Sequence, residues 1–307
     1  VCEYGVIENT DGKTGEKTEE KTAVIEIAKA AGLTLLSEEE RNPLYTTTYG
    51  VGEVIKDAVR NGCRKFIVGI GGSATNDGGA GMLQALGFGL LKENGEQIPI
   101  GARGLEELAE ITDDNVIPEL AECKFKIACD VTNVLCGETG ASAVYGPQKG
   151  ADEEMTERLD RLLFSYASLV KKKIPKADSM YPGTGAAGGL GFAFLTFMDA
   201  QLESGIQIVI KETGLEQEIA KADLVITGEG RMDGQTAMGK APIGIAKIAK
   251  KYGRPVIAFA GSAARDAGAC NEQGIDAFFP ILREAVSLEA AMKRENAEAN
   301  MEAAVEQ

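Results

Sequence analysis

Between Phe66 and Leu86 the chain passes from an apolar run, Phe66-Ile67-Val68, through GIGGSATNDGGAG (69–81) and into a helical pattern at 82–86. Six of those thirteen residues are Gly, set beside Ser73, Thr75, Asn76 and Asp77. Glycine loses more conformational freedom on folding than any other residue, so such a loop costs free energy. The usual return is a set of backbone N–H groups that approach an anion closely near a helix N-terminus. The segment therefore predicts a strand, an anion-facing loop and a helix in succession.

The rest of the chain repeats that alternation. Strand-like apolar runs are expected at 64–70, 125–131, 206–210, 223–227, 255–260 and 275–281, with a short one inside 87–95. Helical patterns are expected at 52–61, 80–86, 151–173, 192–202, 215–222, 241–253 and 287–307, and 22–31 opens as strand and turns to helix. Apolar strands alternating with amphipathic helices predict α/β architecture with buried, mainly parallel sheet. Ligands in such sheets bind outside the carboxyl ends of the strands. The loops 69–81, 130–137, 183–191 and 227–240 all take that position.

Charge and composition exclude several classes. The net charge is −15, from 32 Lys and Arg against 47 Asp and Glu. That disfavours nucleic acid and anionic membranes as partners, and leaves small anionic substrates open. There is no His, so Ser-His-Asp and Cys-His catalysis within this chain are excluded. Acid–base work falls to Asp, Glu, Lys, Tyr or Cys. Six Cys occur without a CxxC pair, which reads as free thiols of a cytoplasmic protein. No apolar run has the length of a membrane span, and no signal peptide is visible. The chain starts at Val1, and the polar stretch 9–21 reads as an exposed loop, so the start looks like the interior of a longer protein.

Common nucleotide motifs fit poorly. Gly69 and Gly71 match the first two glycines of a dinucleotide fingerprint and Glu93 lies at the acidic spacing, but Ala74 stands at the third glycine. Gly12-Lys13-Thr14 lacks the spacing of a phosphate-binding P-loop, and Lys240 fails the same pattern. Asp130, with Asn133 close by, ends a strand in CDVTNVL; it suits Mg2+ or a general base, and equally a turn cap. Glu229, Arg231 and Asp233 in TGEGRMDGQT suit a Mg2+–phosphate site or a substrate carboxylate, against the alternative of a solvated charged loop.

Taken together, GIGGSATNDGGAGMLQALG (69–87), ACDVTNVLCGETGAS and YGPQKGA (128–151), PGTGAAGGLGFA (182–193), VITGEGRMDGQT (225–236) and ERNPLYTTTYGVGE (40–53) resemble the bacterial glycerate kinases unrelated to P-loop kinases. The resemblance runs from about residue 22 to 290. It implies two α/β domains with mainly parallel sheets: an inserted flavodoxin-like domain over 25–220, and a Rossmann-like domain, incomplete here, from 1–24 and 221–307. It implies transfer of the ATP γ-phosphoryl group to D-glycerate with Mg2+, giving 2- or 3-phosphoglycerate; the sequence leaves the oligomeric state open, a homodimer being one option. Members of that family begin with a strand and a DSFKGSLSA-like loop, followed by a DGGEGT-like loop. Neither is in this chain, which implies an N-terminally truncated member with little activity of its own.

On this resemblance the catalytic candidates are Asp130, Asp77 and Arg231, with Arg231 binding the glycerate carboxylate. Gly71, Gly72, Ser73, Thr75, Gly185, Gly188 and Gly189 would cradle ATP phosphates. Asn76, Asn133, Glu229 and Asp233 would contact substrate, and Asp77, Asp130 and Glu229 would hold the metal. The competing readings are a non-catalytic α/β protein that binds a sugar acid or nucleotide, and a nicotinamide-dependent dehydrogenase.

Overall fold

The computed structural model describes residues 2–10 and 17–306. The chain divides into two compact units, Val1–Ser204 and Gly205–Gln307. The division falls near 204 rather than near 24 and 220, and the described residues before 24 take part in the sheet of the first unit.

That sheet has five strands in the order β1-β2-β3-β6-β7. They are β1 (Gly5–Thr10), β2 (Lys17–Glu26), β3 (Cys63–Gly69), β6 (Lys124–Ala128) and β7 (Asp199–Glu203). Only β1 pairs antiparallel; β2, β3, β6 and β7 run parallel. Two further short strands, β4 (Gly89–Leu91) and β5 (Glu110–Thr112), pair with each other. Phe66 of β3 and Phe125 of β6 stack at 4.6 Å, and Phe125 meets Phe194 of the helix Ala186–Phe197 at 5.6 Å. Burial of these rings fixes the register that brings the ends of β3 and β6 side by side.

The helix Tyr49–Arg60 ends as its sequence predicts, with Gly62 beyond it at φ 86°. The helix Glu153–Lys173 is capped by Asp152, whose carboxylate accepts from Met155 N at 2.8 Å. Its first turn carries Glu153 and Glu154 and its last turn three Lys, the arrangement that opposes the helix dipole.

The second unit is a three-stranded parallel sheet, β10-β9-β8, with its own apolar core. Its strands are β8 (Val225–Met232), β9 (Val256–Ala263) and β10 (Ala277–Pro280). The helix Ala241–Lys251 packs within this unit.

Three expectations change. Residues 206–210 are helical, within Gly205–Thr213. The β-branched run IQIVI suggests a strand, but Ile206 sits against Gly244, where a Cβ would come within 2.7 Å of its side chain. Helix-on-helix packing through a glycine has overridden local propensity here. The helix expected at 192–202 starts earlier and stops at Phe197, and Asp199–Glu203 joins the sheet beside β6. The polar stretch 9–21 is not all loop: it takes in the last residues of β1 and the first of β2, while 11–16, with Gly12-Lys13-Thr14, lie outside the described residues.

Candidate active site

At the carboxyl ends of β3 and β6 lies a pocket of about 270 Å³. The Gly71-Gly72-Ser73 turn forms one side, Cys129, Asp130 and Val131 another, and Tyr145, Gln148, Lys149, Ala186 and Ala187 complete it. The turn is shaped by Gly72 at φ 70°, and Ser73 is held by a bridge to Gly32. Of the residues expected to bind ligand, Gly71, Gly72, Ser73 and Asp130 line this pocket.

The remainder of the glycine-rich loop has a different role. Asp77 is fully buried and accepts from five donors: Thr47 Oγ at 3.3 Å, Thr48 N at 2.8 Å, Thr48 Oγ at 3.0 Å, Gly79 N at 3.1 Å and Gly81 N at 3.2 Å. Burial pushes its carboxyl up, and the donors from Thr48, Gly81 and Gly79 act in the other direction. Four of these bonds fall on Oδ2 and one on Oδ1, and the carboxylate is fully buried and outside the pocket lining, so it is poorly placed to reach a metal or a substrate hydroxyl. Asp77 is a structural anchor rather than the base or metal ligand expected from sequence. Asn76 is buried too and does not line the pocket; its Nδ2 donates to Ser142 Oγ at 2.8 Å, and its Oδ1 has no hydrogen-bond partner among the described residues.

The second glycine-rich loop is likewise mostly packing. Ala187, Gly188 and Gly189 follow one another at φ 52°, 67° and 92°. Ala187 is the one non-glycine residue with positive φ among the described residues, and it stands in the pocket wall. Left-handed backbone costs an L-residue roughly 1–2 kcal/mol, and such strain tends to be kept where it shapes a site. Gly188 and Gly189 face the first loop instead: Gly188 O accepts from Gly78 N at 2.9 Å, and a Cβ on Gly189 would come within 2.8 Å of Gly78 Cα. Gly185 lies against Val134, with its N–H on Asn133 O at 2.9 Å. These three glycines lock loop to loop and do not form part of the pocket lining. Asn133 positions the wall: its Oδ1 accepts from Tyr145 OH at 2.7 Å and its Nδ2 donates to Thr139 O at 2.9 Å.

Sequence reasoning passed over Lys149, although YGPQKGA is among the matching motifs. Pro147 starts a single 3-10 turn, Lys149 N closes it on Gly146 O at 2.9 Å, and Gly150 leaves at φ 94°. This delivers a side chain only 2% exposed, with Nζ donating to Thr75 O at 2.7 Å and Ser73 Oγ at 3.0 Å. Thr75 serves here through its carbonyl, while its hydroxyl is buried without a hydrogen-bond partner among the described residues. The available signal was a lone cation between a proline-started turn and a glycine, in a chain without His.

In the second unit Glu229 and Arg231 lie on β8, not in the loop expected after a shorter strand. Asp233 caps the short helix Gly234–Ala237, accepting from Gln235 N at 3.0 Å and Thr236 N at 3.1 Å. The Thr236 N–H holds its carboxyl below the usual range. Thr236 Oγ donates to Glu229, and Arg231, 69% exposed, has its Nε 4.0 Å from Asp233 Oδ2. Asp233 thus has a capping role through Oδ1, beside the substrate contact expected from sequence.

No group of three or more His, Cys, Asp and Glu converges among the described residues. Asp130 in the pocket is one hard oxygen donor group. That fits Mg2+, which usually takes one or two carboxylates and completes its shell with phosphate oxygens and water.

The dinucleotide pattern finds no support. The strand before Glu93 is β4, which pairs with β5 and not beside β3, so Glu93 is not at the end of a neighbouring parallel strand. Among the described residues no helix is long and apolar enough to cross a membrane.

The family model for the glycerate kinase family matches residues 3–307. A glycerate kinase from Halalkalibacterium halodurans is 48% identical over 287 residues, 94% of this chain and 76% of that protein. A glycerate 2-kinase from Escherichia coli is 48% identical over 286 residues, 93% of this chain and 75% of that protein. A glycerate kinase 2 crystal structure from Salmonella typhimurium superposes with a TM-score of 0.82 at 44% identity, covering 98% of this chain and 81% of that one. With a family model that matches nearly every residue and relatives at 48% identity over most of their own length, the chain belongs to the glycerate kinase family.

Proposed function

We propose that this protein transfers the γ-phosphoryl group of ATP to D-glycerate. The family match across residues 3–307 carries the reading. The relative named glycerate 2-kinase favours the 2-hydroxyl and hence 2-phosphoglycerate as product. The bond from the γ-phosphorus to its bridging oxygen breaks, a bond to the glycerate oxygen forms, and ADP leaves. The hydroxyl proton must go to a base. In a chain without His, Asp130 is the carboxylate of the pocket lining, and we assign it that role.

Phosphoryl transfer depends mainly on positioning and on neutralising charge. Mg2+, bound with ATP, would neutralise the phosphates, and Asp130 is the pocket residue that would hold it if it is not the base. The described cysteines are all unpaired, in keeping with a reducing, cytoplasmic setting.

Two experiments test the reading. Supplied with ATP, Mg2+ and D-glycerate, the protein should form a phosphoglycerate, identified by phosphorus NMR, against the sequence expectation of little activity; absence of product would remove the reading. Asp130 is exposed, so Asp130→Asn should fold normally and lower kcat by about 10²-fold or more. Wild-type turnover in that variant would exclude Asp130 as base.

A further inference from the structure

Within that kinase reading, we propose that the pocket at the ends of β3 and β6 is the seat of the three-carbon acid, with Lys149 anchoring its carboxylate. The sequence suggests Arg231 for that task and ATP phosphates for the Gly71–Ser73 turn, so both assignments change.

Size argues first. At about 270 Å³ the pocket is below the range of roughly 300–1,000 Å³ usual for drug-sized ligands. It has room for a three-carbon hydroxy acid.

Charge argues second. Among the described lining residues Lys149 is the single cation and Asp130 the single carboxylate. A hydroxy acid presents the complement: one carboxylate, and a hydroxyl whose proton must leave. Arg231, by contrast, is largely exposed on β8, with its Nε 4.0 Å from Asp233 Oδ2.

The state of Lys149 argues third. Its ammonium is buried on two neutral acceptors, Ser73 Oγ and Thr75 O, and forms no ion pair among the described residues. Lysine carries three N–H donors, so one is left for a ligand. A buried charge without a counter-ion is costly, and an incoming carboxylate relieves that cost. Burial draws the ammonium down to about 8, while the nearby Asp77 charge acts the other way. The group is therefore mostly charged at neutral pH. Its position is built rather than incidental: the Pro147 turn sets it, and at Gly150 a Cβ would collide with Arg41 O.

The test uses Lys149→Gln, which keeps a donor for Ser73 and Thr75 and removes the charge, with Lys149→Met as a second variant. Each is checked for a wild-type circular dichroism spectrum and cooperative melting. In calorimetry, D-glycerate affinity should fall by about 30-fold, with KM for glycerate rising in step and KM for ATP unchanged. Lys149→Arg should restore part of the loss. With the wild type, glycerate should bind without nucleotide, and glycerol, which lacks the carboxylate, should not displace it. This measurement stands even if the variants fail to fold.

Unchanged glycerate binding in the folded variants overturns the proposal. So does a selective rise in KM for ATP, which would return the pocket to a phosphate. Displacement of glycerate by glycerol overturns it as well. The two readings fail separately. Product formed at wild-type KM by Lys149→Gln would leave the kinase and remove this site. Lys149-dependent glycerate binding without phosphoglycerate formation would leave the site and remove the kinase.

Discussion

Asp77→Ala is expected to destabilise the first unit by about 4 kcal/mol, the scale of removing one partner from a buried charged network. The change strands the N–H groups of Thr48, Gly79 and Gly81 and the hydroxyl of Thr48 away from water. Each buried, unsatisfied group costs about 1–3 kcal/mol, reduced by whatever relaxation the site permits. The damage should extend beyond the loop. Thr48 Oγ also accepts from Met82 N at 2.9 Å, so the anchor joins the start of helix Tyr49–Arg60 to helix Ala80–Ala85. Chemical denaturation followed by circular dichroism measures the loss. Asp77→Asn keeps the volume and one acceptor oxygen, and should cost clearly less. Equal, small losses in the two variants would show that Asp77 does not hold the loop.

Gly188→Ala should be nearly as severe, for a steric reason. Gly188 has φ 67°, and a Cβ would strike Thr75 O and come within 2.6 Å of Asn76 Cα. The backbone cannot easily withdraw, because Gly188 O is bonded to Gly78 N at 2.9 Å. Left-handed strain plus collision with backbone predicts a loss of about 3 kcal/mol. Thr75 O is also an acceptor for Lys149, so moving it disturbs the pocket's cation. A drop in glycerate affinity should therefore accompany the drop in melting temperature. Gly71→Ala is the control, since a Cβ there meets nothing within 4 Å. If Gly188→Ala melts like Gly71→Ala and binds glycerate like the wild type, the loop-to-loop contact is not what holds the site.

The architecture was largely legible in the sequence because buried parallel strands are written as apolar runs. FKIACDV and RKFIVGI declare themselves, and the short turn after each follows. IQIVI at 206–210 misled for the same reason: a β-branched run says it is buried, not what it packs on. The site was half legible. Glycine-rich loops mark close approach of backbone, but not whether the approaching group is a ligand or another loop. At Gly71 and Gly72 the pocket is the neighbour; at Gly78, Gly188 and Gly189 it is the protein itself. Asp77 and Asp130 are the same residue type, each at a strand-end loop, and only burial and hydrogen bonding separate anchor from reactive group. Lys149 was missed because its setting is tertiary: Ser73 and Thr75, its partners, lie more than seventy positions away.

The two units are contiguous stretches of chain, and every residue lining the pocket falls between Ile70 and Ala187. Synthesis is directional and domains generally fold as units, the N-terminal one first. The ribosome therefore releases the whole pocket, with the strands and loops that brace it, before the polypeptide of the second unit is complete. An error or pause in making residues 205–307 leaves behind a first unit whose cleft residues are already made. For the cell, quality control of this protein is then in large part a question about the later segment, since the pocket and the apolar cluster beneath it are made first.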